Sequence, residues 1–309
     1  MASPANSAET YVRSARSAYL LILLSLIWGS SFLLIKVSVE TVPPFTAGAA
    51  RAVLAAIILH LWLRLRGERM PPIGRAWLPF LALGIASIAV PFALIGWSEQ
   101  HVDSGLAAIL IALMPLFTVL LLQVAGRDER LSALRLAGFT IGLGGVVVLV
   151  GPDALEGLGT QVWAQIALLG AAVSYAVGIF FAAGVGNYSP AVNGAGTLTI
   201  GALYLVPLSL IFDSPWAIAP SALSVGAIIV LAVVATGIAA IVYFHLIATA
   251  GGAYTALSSY MNPAVALIAG AILLGEDISA RAVLALVIIL IGVALASRRE
   301  RPKVLAPPA

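Results

Sequence analysis

Long apolar stretches broken by brief polar interruptions recur along the whole chain. A membrane-crossing helix needs about 20 mostly apolar residues at 1.5 Å rise each. That rule predicts ten helices, at 18–38, 45–63, 76–97, 104–124, 132–151, 162–184, 191–212, 222–247, 253–274 and 280–297. The interruptions are short and carry turn or charge signals, such as Val42-Pro43-Pro44, Arg66-Gly67-Glu68-Arg69, Arg127-Asp128-Glu129-Arg130 and Gly151-Pro152-Asp153. Backbone inside hydrocarbon must satisfy its own hydrogen bonds, so connections this short predict helical hairpins with no soluble domain between them.

Composition agrees. Of 309 residues, 61% are apolar and 9% charged, against roughly 25% charged in soluble domains. Cysteine is absent, which excludes disulfides, a thiolate nucleophile and Cys-type metal sites. The start resembles a signal peptide, with Arg13 and Arg16 ahead of an apolar run. The run lacks the usual small-residue cleavage pattern and reads as an uncleaved first helix.

Charge placement sets the expected orientation. With the N-terminus inside, 13 of the 16 basic residues fall on inner segments, four of them in the tail after residue 297. Arg281 falls outside, while Lys36 and Arg51 lie within helices. Basic residues favour the cytoplasmic side. The expected order is therefore a cytoplasmic segment 1–17, a five-helix unit 18–151, a second unit 162–297 and a cytoplasmic basic tail 298–309.

The halves match at an offset of 147 to 148 residues. Met114-Pro115 answers Asn262-Pro263, Glu129-Arg130-Leu131-Ser132 answers Glu276-Asp277-Ile278-Ser279, Gly145-Val146 answers Gly292-Val293, and Trp28 answers Tyr175. Five helices per unit is an odd number, so the second unit must be inverted. The expected fold is all-α and membrane-integral, two inverted five-helix repeats with a substrate site near mid-membrane between them.

Several stretches are similar to the drug/metabolite transporter superfamily, EamA type. They are Leu26-Ile27-Trp28-Gly29-Ser30-Ser31-Phe32, Arg51 to Ala56, Phe92 through Trp97-Ser98-Glu99-Gln100-His101 to Ala107-Ala108, Pro115-Leu116-Phe117, and the Glu-x-x-Ser pairs opening helices 5 and 10. The resemblance covers about residues 18–297 and implies a multi-pass transporter of the bacterial inner membrane that exports amino acids or other metabolites. Efflux of toxic aromatic or cationic compounds is the alternative, and a non-transporting membrane scaffold a remote one. One departure is Ile111-Ala112-Leu113-Met114 before the helix-4 proline, where the family pattern has a polar residue.

Polar groups at membrane depth usually face a cavity or a neighbouring helix. Thr255, Ser258 and Asn262 share one face of helix 9, with Ser259 beside them. Pro263 and Pro115 are expected to break their helices by removing backbone hydrogen bonds. Trp28, Ser31, Trp97, Tyr175 and Tyr243 complete the candidate substrate cavity; the competing readings are helix-to-helix bonding for the hydroxyls and an interfacial belt for Trp97. Arg51 is expected to be structural, reaching the outer interface or Glu40, with substrate binding the competing reading. Glu99, His101 and Asp103 read as a solvated loop, against a metal or proton-relay cluster, and His245 as packed. No His-Glu-x-x-His, buried aspartate pair or Ser/His dyad is present, so an enzyme, a cofactor and a metal are not expected. Expected partners are a small-molecule substrate and the lipid bilayer, not nucleic acid, with a monomer favoured over a homodimer.

Overall fold

The structure, a computed structural model, describes residues 15–126, 133–151, 159–182, 188–250, 252–255 and 257–296. Among these, helices dominate and there is no strand. Seven helices are long and apolar enough to cross a membrane: α1 (Ala15–Val39), α2 (Pro44–Leu65), α3 (Arg75–Glu99), α4 (Ser104–Val124), α6 (Thr160–Ala182), α7 (Pro190–Asp213) and α8 (Ala222–Tyr243, continuing as helix to Ala250). Three shorter apolar helices, α5 (Ala133–Val150), α9 (Ser258–Leu274) and α10 (Ala280–Ala296), complete the set. The Glu129–Ser132 part of the repeat, the 152–158 connection, the first 14 residues and the tail from 297 lie outside the described residues.

Exchanging the halves preserves the principal helix contacts. α1 packs on α9 as α6 packs on α4, and α1 packs on α8 as α6 packs on α3. α2 meets α7, and α5 meets α10, each pairing a helix with its own counterpart. The α5–α10 contact is the closest, because glycines remove the side chains between the two backbones. A Cβ on Gly138 would lie 2.5 Å from the Ala296 amide nitrogen and 2.6 Å from the Gly292 carbonyl. The largest buried cluster, including Ile109, Leu113, Leu168, Ala171 and Ile289, ties α4, α5, α6 and α10 together. α2 and α7 are also joined by polar bonds, His60 Nε2 to Thr199 Oγ1 at 2.9 Å and Thr46 Oγ1 to Asp213 Oδ2 at 2.9 Å.

Two counterpart helices depart from α geometry at matching places. α3 holds a π-turn at Ile85–Ala89 and α8 one at Leu231–Ile238, again about 147 residues apart. Such turns shift the hydrogen-bond ladder by one residue and release carbonyls to outside donors, often at functional sites. α4 is interrupted at Ala112–Leu113, just before Pro115. In α9 the picture differs from expectation: Pro263 lies inside an unbroken helix that starts at Ser258, and the interruption comes before that. Pro263 is the sixth residue of this helix, so its missing N–H leaves the Ser259 carbonyl without its ladder donor while the helix continues through it.

Candidate functional site

Carbonyls in both π-turns accept hydrogen bonds from side chains of the opposite half. Trp28 Nε1 on α1 donates to the Ala235 carbonyl in the α8 turn at 3.2 Å, and Ser174 Oγ on α6 donates to the Ala86 carbonyl in the α3 turn at 2.8 Å. Trp28 also packs against Tyr243 with ring centroids 5.3 Å apart. Thr236, next in the α8 turn, donates its hydroxyl to the Leu231 carbonyl at 2.9 Å and accepts from Arg51 Nε on α2 at 3.0 Å. The Arg51 guanidinium carbon lies 4.1 Å from the centre of the Phe92 ring on α3, a cation–π placement.

Arg51 therefore turns inward, correcting the expectation of a pairing with Glu40 or the interface. Its guanidinium borders a small cavity lined also by Ser38, Gly48, Phe92, Ile95, Gly96 and Leu231. The enclosed volume is about 20 Å³, room for roughly one water molecule. Thr236 and Phe92 hold the guanidinium because an unpaired cation at this depth would be costly.

Glu99 corrects a second expectation. It is 1% exposed, while Gln100 beside it is exposed and His101 partly so. Residues 92, 95, 96 and 99 follow helical spacing on one face of α3; Phe92, Ile95 and Gly96 line the cavity, and Glu99 follows them by one turn. Neither Glu99 carboxylate oxygen has a hydrogen bond of ordinary geometry, although the Lys36 backbone N–H approaches the carboxylate. The charges close enough to act on it are those of Lys36, Glu276 and Arg51. No ion pair joins Glu99 to any of them; Lys36 Nζ instead donates to the Val102 carbonyl at 2.7 Å and lies 3.6 Å from Asp103.

Beyond Glu99 a wider, polar vestibule opens at the same end of the bundle. It is lined by Lys36, Glu40, Asp103, Glu276 and Asp277 and encloses about 390 Å³. Glu276, from the connection between α9 and α10, caps the start of α4. Oε1 accepts from the Ser104 amide at 3.0 Å, and Oε2 from the Ser104 hydroxyl at 2.7 Å and the Gly105 amide at 3.4 Å. A carboxylate at a helix N-terminus meets free N–H groups and the positive end of the dipole. This cap fastens one half to the other at the vestibule wall.

The other predicted residues fall in separate places. Thr255 and Ser258 are each 1% exposed, and Ser258 Oγ donates back to the Thr255 carbonyl at 2.9 Å. Their stripe lies along the α1–α9 contact, where Ser25 Oγ reaches Met261 Sδ at 3.5 Å and a Cβ on Gly29 would meet the Asn262 carbonyl at 2.8 Å. Asn262 Oδ1 is buried without a partner, and Ser259 is partly buried beside it. Ser31 donates to the Trp28 carbonyl at 2.6 Å within α1. Trp97 meets His101 edge-on at 5.0 Å, and Tyr175, on α6, lies near enough to Arg51 to act on its charge. His245 is exposed on α8, so it is not the packed histidine expected. Among the described residues, no group of three His, Asp or Glu side chains can hold a metal ion.

Arg51, Glu99, Thr236, Phe92 and Glu276 are the residues that sequence reasoning missed as a group. A charged residue inside an apolar helix was the signal for Arg51. For Glu99 it was the shared face with Phe92, Ile95 and Gly96. The chain is 32% identical over 273 residues to the uncharacterized inner membrane transporter YedA of Escherichia coli, covering 88% of this chain and 87% of that one. It is 27% identical over 268 residues to a probable terminal-alkyne amino-acid exporter of Streptantibioticus cattleyicolor, covering 86% of this chain and 88% of that one. A solved crystal structure shares the fold, with a TM-score of 0.64 at 21% identity over 91% of this chain and 97% of that chain. The EamA-like transporter profile matches twice, over residues 16–151 and 162–298, one match on each side of the seam where Trp28 meets the α8 turn: the chain belongs to the EamA-like transporter family.

Proposed function

We propose that this protein is a secondary transporter that moves amino acids out across the bacterial inner membrane by alternating access. The observation that carries the reading is the seam itself. Charged and aromatic side chains from α1, α2, α3, α6 and α8 converge on two π-turns between the repeats, where an inverted-repeat carrier holds its cargo. The names of the relatives support the membrane and the cargo: one is an inner membrane transporter and another a probable amino-acid exporter. In this reading the chain crosses the bilayer ten times with both termini in the cytoplasm, works as a monomer, and opens its vestibule to the outside. The cavity residues are Trp28, Tyr175 and Tyr243 around the seam. Ser31, Trp97, Thr255, Ser258, Ser259 and Asn262 form the walls that slide as the halves rock.

The test is counterflow in proteoliposomes with radiolabelled amino acids bearing aromatic, branched and small hydroxyl side chains. Saturable exchange of at least one amino acid, reduced by Trp28→Ala, is expected. Folded protein that exchanges none of them overturns the amino-acid assignment.

A further inference from the structure

We propose that Arg51 and Glu99 form a split binding site for a zwitterion, with Arg51 taking the α-carboxylate of an amino acid and Glu99 its α-ammonium. The inference rests on the amino-acid reading above and names the groups that recognise the cargo. Opposite charges buried close together normally pair, because each removes the other's desolvation cost. Here they act on each other through space without an ion-pair contact. Arg51 uses Nε on Thr236 and its flat face on Phe92, which leaves the terminal nitrogens that match a carboxylate fork. Glu99 has two buried oxygens approached by the backbone N–H of Lys36 but by no side-chain donor. A buried carboxylate with so few donors is rare enough to require a reason, and here the missing donor is the substrate's ammonium.

The neighbours fit this division. Lys36 is the nearest compensating cation for Glu99, but its ammonium is engaged by the Val102 carbonyl and Asp103. Glu276 also acts on Glu99, and its oxygens are occupied by the α4 cap. In the wall of the cavity that Arg51 borders, Gly48 and Gly96 contribute no side chains, and Ile35, Ile95 and Leu231 make it apolar. With only about 20 Å³ enclosed, the site is contracted, and cargo is admitted when the repeats separate. A zwitterion replaces both missing partners at once, whereas a carboxylic acid or an amine replaces one and leaves a buried charge unmet.

The experiment compares binding to the purified full-length protein of three ligand forms. The probes are L-leucine and L-phenylalanine, their deaminated acids (isocaproate and hydrocinnamate) and their decarboxylated amines (isoamylamine and phenethylamine). The wild type is expected to bind at least one amino acid about tenfold or more tighter than its acid or amine. Arg51→Gln is expected to bind that amino acid no better than the amine, and Glu99→Gln no better than the acid, while Arg51→Lys keeps part of the preference. The wild-type comparison needs no variant, so it decides even if a substitution prevents folding. Equal wild-type binding of all three forms overturns the split site, as does wild-type discrimination in both charge-removal variants. In either case, amino-acid counterflow that persists leaves the transport reading standing. If counterflow is also absent, that reading falls separately.

Discussion

The Trp28 indole donates across the seam to the Ala235 carbonyl at 3.2 Å. Its counterpart in the other half is the Ser174 hydroxyl on Ala86. In each case a side chain from the first helix of one repeat donates to a carbonyl within a π-turn in the third helix of the other. The two bonds fasten the halves at equivalent points. Both bonds land within the π-turns, where the helix carbonyls receive a donor from the other half.

Trp28→Phe keeps a ring against Tyr243 and removes only the donor. The expected loss is about 1 kcal/mol of stability, with exchange slowed as the Ala235 carbonyl goes unmet. Ser174→Ala should show a loss of similar size. Thermal unfolding in detergent together with counterflow rates checks both; unchanged values for both variants would show that the bonds are incidental.

A different pair of helices sets overall stability. A Cβ on Gly292 would lie 2.5 Å from the Gly142 amide nitrogen and 2.6 Å from the Gly138 carbonyl. Gly292→Val therefore forces α5 and α10 apart, at a cost of about 3 kcal/mol. Gly144→Ala on α5 is the control, since nothing lies within 4 Å of its Cβ position. The expected result is a clearly lower Tm for Gly292→Val and little change for Gly144→Ala, both measured in the same detergent.

Much of the helical order was legible in the sequence, because each apolar stretch is long and its breaks are marked by proline, glycine or charge. Gly138 and Gly292 also signalled the α5–α10 contact. The π-turns were not legible: one extra residue per turn leaves an apolar stretch looking apolar. Arg51 could be recognised as costly, but Thr236 is 185 residues away, and no local pattern links them. Glu99 was misread for the opposite reason. Its polar neighbours Gln100, His101 and Asp103 suggested solvent, while the spacing back to Phe92 placed it on the buried face. Thr255 lies before the interruption that precedes Ser258 and Asn262, and periodicity alone does not say that α1 lies against this stretch.

The Glu276 cap offers a direct test of how the vestibule end closes. Its bonds to Ser104 and Gly105 are charge-assisted and tie α4 to the opposite half. Glu276→Gln weakens the cap by roughly 1.5 kcal/mol, enough to raise the open population about tenfold. The chain has no cysteine, so a single Ser38→Cys reports cleanly from the cavity wall. Its reaction with a membrane-impermeant maleimide added from outside should speed up about tenfold in the Glu276→Gln background. Equal labelling in both backgrounds would show that the cap does not hold this end shut.

Thr236 is best understood as a positioning residue for Arg51. It receives Arg51 Nε at 3.0 Å and anchors itself on the Leu231 carbonyl at 2.9 Å. Thr236→Val keeps the shape but removes both bonds, leaving the guanidinium to the Phe92 face and whatever occupies the cavity. Hydrogen bonds to charged groups contribute about 1.5–3 kcal/mol, so the apparent affinity for cargo should fall about tenfold or more. Thr236→Ser restores the hydroxyl and should recover most of that loss. A merely structural threonine predicts another pattern: Val and Ser variants would shift the Tm while leaving the KM for exchange alone. Measuring KM, maximal exchange rate and Tm for both variants separates the two, because only a misplaced Arg51 raises KM in Thr236→Val and returns it toward wild type in Thr236→Ser.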